Sequence, residues 1–181
     1  MHNNRLTILA INPGTRYLGI AVLKGQLLLD WSVNVITGTS SYARLLKTSS
    51  LLSHLIDQYQ PDVLVTKKLH PSRCSSGLRR SSRVVYRLAE ERGLNVCEYS
   101  IQEMEAFFEP EGRINKEEMA ELVALRHPAL RHDLRKEQDN LNPYHIRMFE
   151  AVALGTMAES KISEKIALTR GKTHAVSDTI L

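Results

Sequence analysis

The stretch Ile8–Val22, ILAINPGTRYLGIAV, sets the start of the fold. Leu6 to Ile11 are almost wholly apolar or β-branched, the pattern of a strand buried on both faces. Pro13-Gly14 then forces a turn, and YLGIAVL reads as a second strand. Gly25-Gln26 makes another tight turn before a third, LLLDWSVNVI. Connections this short join antiparallel neighbours, so the three strands form a meander. Asn12 ends the first strand, where an enzyme handling metal or phosphate commonly carries a carboxylate. That substitution poses the functional question.

Beyond the meander the period changes from two to 3.6. Tyr42, Leu45, Leu46, Leu52, Leu55, Ile56 and Tyr59 share one helical face between Ser41 and Tyr59, with Ser40 or Ser41 as cap and Pro61 just past the end. PDVLVT is then a strand that returns beside the first, which makes the pairing parallel. A polar loop, KKLHPSRCSSG, leads into a helix over Leu78–Glu91, which carries Leu78, Val84, Val85, Leu88 and Ala89 on one side and ends at Gly93. LNVCEY is a fifth strand. Short helices follow over Ile101–Phe107 and Asn115–Leu125, then a charged linker, RHPALRHDLRKEQDN. A final helix runs from Pro143 or Tyr144 to Ser160. The expectation is one domain over residues 1–160 and an unassigned tail over 161–181. Three antiparallel strands, a helix, a parallel strand, a helix and a further strand is the order of the ribonuclease H-like fold: α/β, with a mixed five-stranded sheet flanked by helices.

The chain has 181 residues, 43% hydrophobic and 24% charged, the composition of a soluble globular domain. It shows neither a membrane span nor a signal-peptide pattern, and a cytoplasmic location is expected. Its two cysteines have no metal-ligand spacing: Cys74 falls in a loop, and Cys97 reads as a buried free thiol. Net charge is +4, but eight cations face two carboxylates between Lys67 and Arg92, a local excess of six. Arg79, Arg83 and Arg87 make a stripe along the second helix, flanked by Arg80. Excess charge concentrated in this way marks a polyanion footprint.

Five segments, in order, carry a family resemblance: ILAINPGTRYLGIAVL, LLSHLIDQYQPDVLVTKKLH, RVVYRLAEERGLNV, YSIQEMEAFFEPEGRINKEEMAELV and EAVALGTMA. Together they resemble the RuvC Holliday-junction resolvases, over nearly the whole chain to about Ala158. The resemblance implies a homodimer that hydrolyses DNA at a four-way junction, with acidic groups, one sometimes histidine, holding two Mg²⁺ ions. Such ions need hard oxygen ligands to stabilise the attacking and leaving oxygens. Carried over by position, the family acids fall on Asn12, Lys67, Arg147 and Glu150. Only Glu150 is acidic, and His145 is an offset substitute for Arg147.

A lysine and an arginine in place of carboxylates put positive charge where the ions would sit. The reading is therefore a degenerate resolvase that binds branched or double-stranded DNA without metal-dependent cleavage. No cofactor is expected. Lys67, Lys68, Arg73, Arg79, Arg80, Arg83 and Arg87 would contact phosphates, and Tyr86 either stacks on a base or packs. Glu150 lies on the buried stripe with Ile146, Ala153 and Met157, so it needs partners; Lys67, Arg147 and Asn12 are expected to supply them. Three alternatives remain. One is an active Mg²⁺-dependent junction endonuclease with a rebuilt site drawn from Glu150, His145 and Asp30 or Asp62. Another is a dimeric scaffold for an acidic protein. The third is a kinase fragment, since INPGT also resembles the phosphate-binding opening of acetate and butyrate kinases; those enzymes need a second such domain, which this chain has no residues for.

Overall fold

The computed structural model describes residues 5–70, 72, 74–139 and 144–175, with side chains described as far as residue 169. Five strands make one sheet in the order β3-β2-β1-β4-β5. β1 (Thr7–Asn12), β2 (Tyr17–Lys24) and β3 (Leu27–Val35) are the antiparallel meander. β4 (Val63–Lys67) and β5 (Asn95–Tyr99) lie parallel to β1 on its other side. The central position of β1 explains its apolar run, because all six of its residues are buried.

Alternation along the strands divides the core in two. Leu9, Ile11, Leu18, Ile20, Val22 and Leu64 face α1 (Ser41–Tyr59) and α2 (Ser76–Glu91). Ile8, Ala10, Ala21, Val63 and Val65 face the remaining helices. These are α3 (Ile101–Phe108), α4 (Lys116–Arg126), α5 (Arg131–Gln138) and α6 (Ile146–Ala175). Gly93, at φ 63°, ends α2 in the left-handed region that glycine adopts without strain.

Several expectations need correction. The charged linker is ordered: a 3₁₀ turn, Pro128–Leu130, leads into α5. Leu130 is buried, Leu134 packs on the core, and the Trp31 indole N–H donates to Asp133 Oδ2 at 2.9 Å. With one apolar residue in eight, α5 offers no apolar stripe for a sequence reading to find. α6 begins at Ile146, leaving Tyr144 outside it; Pro143 lies outside the described residues. It also runs past Ser160 to Ala175, so most of the unassigned tail is helix. Ile162 packs against the core, and Lys161 Nζ lies 4.8 Å from the Tyr99 ring centre. Tyr42 and Leu46 are exposed, because the inward face of the first turns of α1 is taken by Leu45, which packs on the core, and the buried Thr48. Cys97 is only half-buried, since β5 is an edge strand. Among the described residues no helix is long and apolar enough to cross a membrane.

Candidate nucleic-acid interface and the Glu150 charge cluster

Strand alternation places Asn12 on the α6 face, in step with Ile8 and Ala10, and Lys67 likewise in step with Val63 and Val65. β1 and β4 are parallel neighbours, so both residues emerge at the same end of the sheet. Gly19 pairs with Asn12 across the β1–β2 ladder. A Cβ at Gly19 would lie 1.9 Å from the Arg147 carbonyl oxygen, so only glycine lets the first turn of α6 settle there. That close approach delivers Arg147 and Glu150 to the strand ends.

The four positions therefore converge. Asn12 Nδ2 donates to Glu150 Oε2 at 2.5 Å and to the Arg147 carbonyl at 3.2 Å. Lys67 Nζ donates to Glu150 Oε1 at 3.3 Å. Arg147 Nη1 stands 3.9 Å from Glu150 Oε2. A third cation, Lys116, places Nζ 3.8 Å from Glu150 Oε1. Lys116 is a site residue that sequence reasoning missed. Its signal is local: Asn115 caps α4 in a reciprocal capping box with Glu118, which makes Lys116 the first helical residue. Glu150 is 3% exposed. Three cations thus surround one buried carboxylate, a local excess of two positive charges.

Burial pushes the Lys67 ammonium below the usual lysine range. Glu150 pulls it back up, while Lys116 and Arg147 push it further down. The sign of the linkage follows. The folded state binds the Lys67 proton less tightly than the unfolded state, so this group's contribution to stability rises as pH climbs from the lowered folded value towards 10.5. Lysine-selective NMR should find Lys67 titrating below the exposed lysines, and Glu150→Gln should lower it further. An ordinary lysine titration at this position would contradict the burial.

These residues do not fit a pair of divalent cations. Divalent cations such as Mg²⁺ are held through carboxylates free to coordinate them, whereas the one carboxylate here is already held by Asn12, Lys67, Lys116 and Arg147, three of them cations that would repel a bound metal ion. Asn12 Oδ1 is buried without a hydrogen-bond partner, a neutral oxygen among cations. Among the described residues no group of three or more His, Cys, Asp or Glu could hold a metal. The rebuilt set does not assemble either. His145 Nδ1 lies 3.5 Å from Glu137 Oε2 on α5, and burial raises the Glu137 carboxyl above its usual range. Asp30 accepts from the Tyr59 hydroxyl at 3.0 Å. Asp62 accepts from the Thr7 N–H at 2.7 Å, just before β4 and so at the opposite end of that strand from Lys67.

The basic stripe divides differently from the sequence expectation. Lys68, Arg79, Arg80, Arg83 and Arg87 are exposed. Arg73 lies outside the described residues. Lys67 is turned inward to Glu150, its side chain 13% exposed, and so leaves the stripe for the cluster. Arg79, Arg83 and Arg87 repeat every four residues and span about 12 Å along α2. Arg79 Nη2 donates to the Cys74 carbonyl at 3.1 Å. Arg87 Nε lies 3.6 Å from Glu91 Oε1 in a pair more than half exposed, a contact worth about 0–1 kcal/mol that a phosphate readily displaces. The Tyr86 hydroxyl donates to Glu98 on β5; burial, then Glu98, pushes the phenol up. Tyr86 thus anchors α2 to the sheet edge.

A mixed sheet in this order with helices on both faces defines a ribonuclease H-like protein. The profile of the family described as crossover junction endodeoxyribonuclease RuvC matches residues 8–154, and the chain belongs to that family. The RuvC of Thermobifida fusca is 27% identical over 128 residues, covering 66% of this chain and 70% of that protein. The RuvC of Corynebacterium efficiens is 27% identical over 132 residues, 68% of this chain and 59% of that protein. Among solved structures, Thermus thermophilus RuvC in complex with a Holliday junction substrate superposes with a TM-score of 0.65 at 16% identity. That match covers 84% of this chain and 91% of the other. The yeast mitochondrial Holliday junction resolvase gives a TM-score of 0.60 at 12% identity over 90% of this chain and 85% of its own. Likeness at such identities establishes the fold.

Proposed function

We propose that this chain is a RuvC-like protein that binds branched or double-stranded DNA through phosphate contacts, as a homodimer, and does not cleave it by two-metal hydrolysis. One observation carries the reading: Asn12, Lys67, Arg147 and Glu150, the positions on which the resemblance sets the family acids, are brought together, and they and Lys116 present three cations to a single buried carboxylate. Cations fixed to the protein supply positive charge at the strand ends, but no Lewis acid to activate water. The exposed arginines of α2 add a sequence-independent footprint. Branched DNA is the favoured ligand because a relative of the same fold is solved on a Holliday junction.

The test is binding of four-way junctions, duplex and single strands in EDTA and in Mg²⁺. The expected result is junction binding that survives EDTA and weakens steeply with salt, with no strand cleavage in Mg²⁺ or Mn²⁺. Divalent-dependent nicking of the junction would restore the endonuclease reading. Absence of binding to any nucleic acid at low salt would leave the scaffold reading.

A further inference from the structure

On the sheet face opposite the Glu150 cluster, a cleft of about 280 Å³ opens between the β1–β2 turn and the first turns of α1 and α2. It has room for roughly nine waters, enough for a phosphate and part of the group that carries it. Two guanidinium groups line it, Arg44 and Arg80, and no carboxylate does. Arg44 is pinned at the rim, donating to the Gly38 carbonyl at 3.1 Å and to Ser41 Oγ at 3.3 Å. Arg80 is exposed and has no ion-pair partner among the described residues.

The two helices that begin here are long, α1 of 19 residues and α2 of 16, and neither has an acidic residue in its first turn. Their caps, Ser40 and Ser75, each accept one N–H, from Ala43 and Leu78, so other first-turn N–H groups remain without an intrahelical acceptor. A Cβ at Gly77 would lie 2.9 Å from Thr15 Cγ2, so the β1–β2 turn closes directly over the start of α2. Ser81 points to a ligand independently of the helix ends. It lines the cleft, is 5% exposed, and its side chain makes no hydrogen bond among the described residues. Its hydroxyl meets the cleft without a protein partner among those residues, and an anionic oxygen bound there would accept from it.

We propose that this cleft is a phosphate-binding site, in which Arg44 and Arg80 clamp the phosphate oxygens and Ser81 and the first-turn N–H groups of α2 donate to them. A phosphate in the nucleic-acid backbone and one on a free small molecule share this chemistry. The site stands on its own residues and does not require the DNA reading.

The test titrates the full chain with inorganic phosphate at constant ionic strength, against a chloride control, and follows the amide NMR signals of Gly14, Gly77 and Ser81. Saturable shifts at those amides are expected with phosphate and not with chloride. Arg80→Ala, at an exposed position, should weaken them about tenfold or more, and Ser81→Ala should weaken them without unfolding the chain. Shifts that track chloride, or that are indifferent to both variants, overturn the site. A second arm identifies the source. If phosphate competes with a four-way junction and Arg80→Ala lowers the salt slope of junction binding by about one, the natural occupant is a backbone phosphate. If phosphate saturates the cleft while junction affinity ignores both, the occupant is a free phosphorylated molecule. A chain that binds no DNA but shows the phosphate shifts refutes the proposed function and retains the site.

Discussion

Glu150→Ala is expected to destabilise the fold by about 3–5 kcal/mol in urea unfolding, because it strands the Lys67 ammonium between Lys116 and Arg147 with its counter-ion gone. The Glu150 side chain is 4% exposed and that of Lys67 13%, so water does little to screen the loss. Lys67→Met should cost less, since Glu150 keeps Asn12, Lys116 and Arg147. The pair Lys67→Met with Glu150→Leu should recover much of what Glu150→Ala loses, because replacing a buried ion pair with apolar groups of similar size is often close to neutral. The asymmetry between the single variants distinguishes a shared counter-ion from a simple pair. A Glu150→Ala loss below about 1 kcal/mol, the range of an exposed pair, would mean that the carboxylate is not buried among cations.

The second large effect concerns salt. Replacing Arg79, Arg83 and Arg87 together by alanine should lower the slope of log affinity against log salt for junction binding by nearly three, at about 0.9 for each phosphate that is no longer neutralised. All three are exposed on α2 away from the core residues Val84, Val85 and Leu88, so thermal unfolding should barely change. Lys67→Met, its side chain turned inward, should leave the slope close to that of the parent chain. Equal slopes for the triple variant and the parent would remove α2 from the interface. A fall in slope confined to Lys67→Met would move binding to the strand ends.

Reading the chain worked where local physics dominates. The apolar run of β1, the two tight turns and the period change at Ser41 specify the sheet order, because they record which residues are buried and how short the connections are. It failed where burial is slight. α5 has a single apolar residue among eight, and residues 163–169 of α6 are exposed, so neither presents an apolar stripe to read. At the site, the positions of Asn12, Lys67, Arg147 and Glu150 were legible through the family resemblance, and the need of a buried carboxylate for partners followed from chemistry. Lys116 was not, because the cap at Asn115 marks the start of α4 but gives no sign that its first residue reaches across to α6.

By itself the sequence determined the mixed sheet, the RuvC family and the oddity of Asn12 and Lys67, since these follow from alternation, turn chemistry and residue type. Tertiary structure alone decided which charges meet. Gly19 lets α6 approach β2 closely enough to bring Glu150 to Asn12 and Lys67, and α4 swings Lys116 into the same carboxylate. It also withdrew Lys67 from the basic stripe and opened the cleft between α1 and α2. Coulomb energies depend on separations of a few ångströms and on burial, and in a chain of this length both are set only by packing between segments far apart in sequence.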